Sequence, residues 1–424
     1  MKKIVCFGPG PLFKGGISNY TTALAQALRN QPDTEVHIVS WTQQYPAIIP
    51  RDFIDRSSQK GFLVGSDIQV HYLTNYNNPI TWEKTASFIL DLKPDLIILQ
   101  WAIALQGLPM GWIARRLKKA GTLKIMFDLH LVVQKEGSRL DQWFTKYGLE
   151  ASDGYIVHAK KTGTELQTLF PDRKFKDPIE LGGKSFPVNT YPLLQLYHPV
   201  YNLFKEDPLF DREAFRKSNG LQPHVFLFFG FIRKYKGLHQ VIQAFAKALE
   251  TRKDISLLIV GESFWQTLDQ NKFSTRIKQQ VFGFAKSMFL KKTDDEQNYR
   301  PLELIKTLGI ENYVRVFNDF VPNEEVHKYF QASDTLMLYY LNATPSGVES
   351  LGYNFRLPIL ATRVGHFTET IQDGYNGYLA ESGNIEDMAK VMLKSITHPI
   401  SKENIEATAS QMSWDQYAKR ILNS

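Results

Sequence analysis

Residues 224–250, HVFLFFGFIRKYKGLHQVIQAFAKALE, join an almost unbroken apolar run to an amphipathic one through a short basic turn flanked by glycines. An apolar run with no polar alternation suits a strand buried on both faces, as in a parallel sheet covered by helices. GLHQVIQAFAKALE repeats its apolar residues at helical spacing, so the stretch reads as strand, turn, helix. The same alternation continues downstream in ISLLIVGE, YVRVF, EEVHKYFQAS, TLMLYY and LPILAT. Upstream it is already complete once, in KIVCF, GISNYTTALAQALRN, VHIVS, PDLIILQ, GWIARRLKKAG, LKIMFDLH, GYIVHA and AKKTGTELQTLF. Between the two series lies the Pro- and Tyr-rich YPLLQLYHPVYNLFKEDPLF, which places a hinge between about residues 190 and 215. The expected fold class is α/β, with two Rossmann-like, doubly wound domains facing a central cleft, the first over residues 1–200 and the second over 201–404.

Composition agrees with two domains. A chain of 424 residues exceeds one ordinary core, and 43% hydrophobic with 22% charged residues is a globular balance, neither disordered nor fibrous. Fifty Lys and Arg against 43 Asp and Glu leave a net charge of +7, compatible with an anionic ligand or surface. The single cysteine, Cys6, excludes an internal disulfide framework and a multi-cysteine zinc site, and its apolar setting suits a buried structural thiol. The opening MKKIVCFGPG runs from lysines through a short apolar stretch into turn residues, which is a first strand rather than a signal peptide. No window approaches the roughly 20 apolar residues of a membrane-spanning helix, so the expectation is a cytoplasmic protein, at most attached to a membrane from one side.

Doubly wound sheets bind ligands beyond the carboxyl ends of their strands, so the turns there are the places to look for chemistry. In the first, GPGPLFKGGISNY, Gly8 and Gly10 begin a dinucleotide fingerprint, but Phe13 stands where its third glycine belongs. The second strand, VHIVSW, also lacks the acidic residue that grips a ribose, which disfavours a nicotinamide oxidoreductase. Gly15 and Gly16 directly precede a helix, whose free N–H groups suit a phosphate or a sugar, or form an ordinary turn. In the quoted stretch Arg233 and Lys236 stand beside Gly230 and Gly237 at a strand end and a helix start. That position suits an anion, with a solvated surface pair as the alternative.

These motifs together resemble the retaining nucleotide-sugar glycosyltransferases of the GT-B fold, in the large group called family 4. FFGFIRKYKGL is similar to the family's phosphate-contact motif, and GGISNYTTALAQAL to its N-terminal glycine loop and helix. PDLIILQW, FDLH, SDGYIVHAKKTGTEL, LLIVGE, NDFVPNEEVHKYFQASDTLMLYY, NATPSGVESLGYNFRLPILATRVGH and DGYNGYLAESGN follow the family's order over nearly the whole chain. The family's commonest signature has two glutamates eight positions apart; Ala343 and Leu351 occupy those places here. The chain instead resembles the subgroup with A-T-x-S-G-V, matched by Ala343, Thr344, Pro345, Ser346, Gly347 and Val348. There a helix starting near Ser346 would hold the diphosphate through its N–H groups, the hydroxyl and the dipole.

The resemblance implies a metal-independent enzyme of the hexosyltransferase type. It would move a sugar from a nucleotide-diphosphate donor to a glycan or lipid-linked acceptor in cell-envelope or polysaccharide biosynthesis, without a cofactor. It implies catalytic roles for Arg233, Lys236 and His130, and nucleotide-sugar contacts at Gly15, Gly16, Gly230, Val321, Thr344, Ser346, Gly347, Val348 and Glu349. Glu349 stands two residues from the usual ribose ligand. Gln100, Trp101 and Glu136 are candidates on the acceptor side, with core packing as the alternative for the tryptophan. No nucleic-acid partner is expected, and no Asp-x-Asp pair stands where a metal-dependent transferase would carry one. The last helix, within 405–424, would cross back to the first domain. The missing glutamate pair keeps open a non-catalytic protein that binds nucleotide sugar or glycan. An insertion, residues 264–292, carries apolar residues at helical spacing (Phe273, Ile277, Val281, Phe284, Met288) beside Lys272, Arg276 and Lys278. Packing on the second domain is favoured over contact with an anionic membrane.

Overall fold

The structure is a computed structural model that describes all of the chain except residues 47–52, 57, 59–60, 122, 133–138, 182–185, 264–297 and 346. The insertion, Glu136 and Ser346 therefore lie outside the described residues. The first eight strands are β1 (Lys2–Phe7), β2 (Thr34–Gln43), β3 (Gln69–Asn75), β4 (Leu96–Trp101), β5 (Lys124–Leu129), β6 (Gly154–Val157), β7 (Lys174–Lys176) and β8 (Thr190–Gln195). They form one sheet in the order β3-β2-β1-β4-β5-β6-β8-β7. The other six are β9 (His224–Phe229), β10 (Ile255–Val260), β11 (Val314–Phe317), β12 (Thr335–Leu338), β13 (Ile359–Thr362) and β14 (Gly377–Ala380), ordered β11-β10-β9-β12-β13-β14. All pairs are parallel, and Ile4 is in register with Val36 on one side and Leu96 on the other. The order reverses between β1 and β4, and again between β9 and β12, which makes two topological switch points. The two-domain Rossmann-like architecture expected from the alternating runs is the one observed.

The quoted stretch shows why. In β9, Val225 to Phe228 are each at most 2% exposed, so both faces of the strand are covered. The helix Leu238–Thr251 turns Leu238, Val241, Ile242, Phe245 and Leu249 inward, and these pack with Phe226, Phe228, Leu257 and Ile259. Each such side chain contributes about 1.5–3 kcal/mol on burial, an upper figure because the unfolded chain already shields part of its apolar surface. Gly237, at φ 66°, starts this helix.

Two expectations change. Part of the stretch read as hinge is strand β8, which pairs with β6 (Ile156 with Leu194) and with β7 (Phe175 with Tyr191). Pro192 hid it: proline cannot donate to a ladder, but its neighbour β7 is only three residues long and asks for few bonds. The boundary expected at residue 404 falls inside the helix Lys402–Gln411, which packs on the helix Gly347–Asn354 of the second domain. The crossing is made after it, by Trp414–Leu422, which lies on the helix Gly16–Arg29: the Tyr417 and Tyr20 hydroxyls are 2.5 Å apart, and Gln31 donates to Asp415 at 2.9 Å. Tyr201, Phe204 and Trp414 join one apolar cluster that runs through both domains. Cys6 is fully buried in β1. Among the described residues, no helix is long and apolar enough to cross a membrane.

Candidate active site

Beyond β9 three glycines shape a cradle. Gly230 has φ 97°, and a Cβ there would lie 2.8 Å from Lys236 Nζ, so the absent side chain is what admits the ammonium. A Cβ on Gly237 would meet the Tyr339 carbonyl oxygen at 2.0 Å, and one on Gly261 (φ 139°) would meet the Gly230 carbonyl oxygen at 2.2 Å. The strand ends therefore approach more closely than any side chain allows. Lys236 is only 6% exposed, with Nζ 5.8 Å from the Tyr340 ring centre. No carboxylate of the described residues forms an ion pair with it. Burial first, then the Arg233 charge, push its pKa down to about 7. An ammonium this deeply placed without an anion is costly, and a bound anion would offset that cost.

The sign of this shift gives a prediction. An anion restores the ammonium, so pyrophosphate binding at pH 8 is expected to take up a proton, and its affinity is expected to fall as pH rises above 7. Calorimetry in buffers of different ionisation enthalpy reads the uptake directly; binding with no proton exchange would rule it out. In the free protein the folded pKa lies below the unfolded one. Lys236 therefore contributes stability that is fully present above about pH 10.5 and lost as pH falls through about 7.

Opposite this cradle the first domain presents Gly15, at φ 114° with open space where a Cβ would stand, as the cap of the helix Gly16–Arg29. No acid occupies that helix's first turn, so its N-terminal dipole is not offset from within the helix. A 280 Å³ cavity separates it from Gly230, Lys236, Glu262, Val321, Gly347 and Val348. An adjoining 350 Å³ hollow shares Gly15, Gly16 and Lys236 and adds Arg233. The helix Gly347–Asn354 also begins at this cleft. Tyr201 sets both helix starts: its hydroxyl donates to Gly16 O at 2.7 Å, and a Cβ on Gly347 would sit 2.2 Å from its ring. Tyr201 was missed in the sequence, where it lies in an irregular Pro- and Tyr-rich stretch without a motif. The structure thus brings Gly15, Gly16, Gly230, Arg233, Lys236, Val321, Gly347 and Val348 to one cleft.

Other expected residues lie elsewhere. Thr344 is exposed and lines neither hollow. Glu349 is 5% exposed, and its Oε2 is bonded to His366 Nε2 at 2.5 Å; the carboxylate is engaged inside the second domain and is absent from the cavity wall. Trp101 is fully buried, against Phe127 and in the space that a side chain on Gly148 would need. It is a core residue, not an acceptor contact. Gln100 is 1% exposed and bonded to His130, which removes it too from direct contact.

His130 follows β5, is partly exposed and lines neither hollow, with its ring edge-on to Tyr20 at 4.8 Å. Burial pushes its pKa down to about 4 against the pull of Asp128. Asp128, fully buried, accepts from Tyr20 at 2.9 Å and from Gln100 at 3.2 Å and pairs with His158 Nε2 at 2.7 Å. Burial raises the Asp128 pKa, but His158, His130 and Tyr20 more than reverse it, so the carboxylate is held below its ordinary range. Asp128, His130 and His158 offer ligand atoms within 4.8 Å of one another, a spacing that suits a metal ion. Here Asp128 and His158 face each other directly, and Gln100 occupies His130 Nε2, the arrangement of an internal ion pair and hydrogen-bond chain.

Residues 211–412 match the family model described as Glycosyl transferases group 1, a span covering the second sheet and its helices through Gln411. The N-acetyl-alpha-D-glucosaminyl L-malate synthase of Bacillus anthracis is 25% identical over 279 residues, 62% of this chain and 64% of that enzyme's length. Over the whole chain the fold is that of Anabaena HepE, solved with UDP and glucose (TM-score 0.65, 16% identity, 100% of this chain and 99% of that one). It is also that of a sucrose-phosphate synthase from Thermosynechococcus elongatus (TM-score 0.63, 15% identity, 100% and 98%). The fold is therefore GT-B.

Proposed function

We propose that the chain is a retaining glycosyltransferase that takes a sugar from a nucleotide-diphosphate donor. The observation that carries this reading is the buried Lys236, with Arg233 beside it, in a cleft where two helices begin. The group 1 match over residues 211–412 and the likeness to a glucosaminyl malate synthase support it. Breaking the sugar–phosphate bond builds negative charge on the departing diphosphate, and cations already in place stabilise that charge more than the ground state. Arg233 can fork two phosphate oxygens, while Lys236 acts as a point charge. The helix starts at Gly16 and Gly347 would add N–H donors on either side. Attack from the face the nucleotide leaves would retain the anomeric configuration, with His130 on the sugar side. The proposed acceptor is a glycan or lipid-linked sugar of envelope or polysaccharide synthesis.

A binding protein without activity is the second reading, favoured by one observation: the carboxylate nearest the usual ribose ligand, Glu349, is engaged with His366. Thermal-shift titration with nucleoside diphosphates and nucleotide sugars, followed by a donor-hydrolysis assay with and without EDTA, separates the two. Stabilisation by a nucleoside diphosphate and turnover that survives the chelator are expected. Stabilisation without turnover of any donor would favour the binding protein. Loss in EDTA, restored by a divalent cation, would refute the metal-independent clamp.

A further inference from the structure

We infer that Asp128 and Gln100 are positioning residues that hold His130 in one tautomer, protonated on Nε2, with Nδ1 left free to accept a hydrogen bond from a hydroxyl of the bound sugar. The inference rests on the donor-side role proposed above for His130, and it assigns work to two residues that a ligand does not reach: Asp128 is 0% and Gln100 1% exposed.

His158 has an oxygen at each ring nitrogen, Leu196 O at 3.0 Å from Nδ1 and Asp128 Oδ1 at 2.7 Å from Nε2. Tyr20 donates to Asp128 Oδ2 at 2.9 Å, and the neighbouring groups hold that carboxyl below its ordinary range, so Asp128 is ionised, and an ionised carboxylate only accepts. The amide of Gln100, 3.2 Å from Asp128 Oδ2, must therefore present its NH2 there, which leaves its carbonyl oxygen for His130. At 2.8 Å from that oxygen, His130 Nε2 must carry the proton. Burial independently keeps the ring neutral, so Nδ1 holds the lone pair. Reversing any one group reverses the rest: if Asp128 could donate, Gln100 could turn over and His130 would protonate on Nδ1 instead.

The same cluster reaches the second domain through the hinge. His198, 5.0 Å from Tyr20 between ring centres, lies in the hinge and is bonded through Nδ1 to Ser350 Oγ, in the helix that opens at Gly347. His130 is thus set by groups packed beside the segment on which the donor-side helix rests. A fully buried ion pair is a poor source of stability, because desolvation cancels most of the attraction. A role in fixing proton positions accounts for its presence better than stability does.

The test uses the full chain labelled with 15N-histidine and long-range proton–nitrogen correlation, with His130 assigned from its loss in His130→Gln. The wild type is expected to show His130 protonated on Nε2 alone. Gln100→Met keeps the Asp128–His158 pair and removes only the acceptor; it is expected to give a mixture of tautomers. Turnover of the nucleotide sugar should fall about tenfold with the donor KM within about twofold. Asp128→Asn should admit the Nδ1-protonated form as well. A wild-type His130 protonated on Nδ1, or Gln100→Met with both tautomer and turnover unchanged, would overturn the assignment. If the wild type turns over no nucleotide sugar, the proposed activity fails, and the nitrogen spectra of wild type and Gln100→Met still decide the tautomer.

Discussion

Arg233→Ala and Lys236→Met are each expected to lower turnover by about a hundredfold or more while the protein stays folded. Each removes a cation from the position where leaving-group charge develops, and loss of one such group typically raises the barrier by about 3–4 kcal/mol. The two should differ in stability. Lys236 is buried without an ion-pair partner among the described residues, so a methionine of similar length removes a desolvation cost and should leave the free protein as stable or more so. Arg233 has no such burial, and its replacement should be nearly neutral. Urea denaturation checks stability, and steady-state kinetics checks turnover. Near-normal transfer by both folded variants would remove the clamp from the mechanism.

Gly237→Ala is expected to do more damage than its size suggests. Its Cβ would stand 2.0 Å from a backbone oxygen, Tyr339 O, at φ 66°, where an L residue is strained even in open space. The left-handed conformation alone costs about 1–2 kcal/mol, and the clash must be relieved by moving β12 away from the start of the helix Leu238–Thr251. A stability loss of about 3 kcal/mol or more and failure to bind nucleoside diphosphate are the expected results, measured by urea midpoint and by calorimetry. Gly309→Ala is the matched control. It too has positive φ (65°), but nothing lies within 4 Å of the added Cβ, so it should lose only the conformational part and keep binding. Equal behaviour of the two variants would show that the close approach at Gly237 does not matter.

The alternation of apolar runs with helical patterns was enough to determine two parallel sheets, because a strand buried on both faces has little alternative to an apolar sequence. Arg233, Lys236 and their glycines were legible for a related reason: strand, glycine turn and helix are contiguous in the chain, so their geometry is local. Strand β8 was not, since its pairing with β6 and β7 is what makes a proline-bearing segment a strand. The fates of Glu349 and Trp101 depended on partners far off in sequence or on packing density, His366 in one case and the space over Gly148 in the other. Tyr201 and the chain from His158 through Asp128 and Gln100 to His130 could come only from the tertiary structure. Their roles lie in hydrogen bonds spanning from 28 to 185 positions, and a sequence records which groups can donate or accept, while folding alone decides which of them meet.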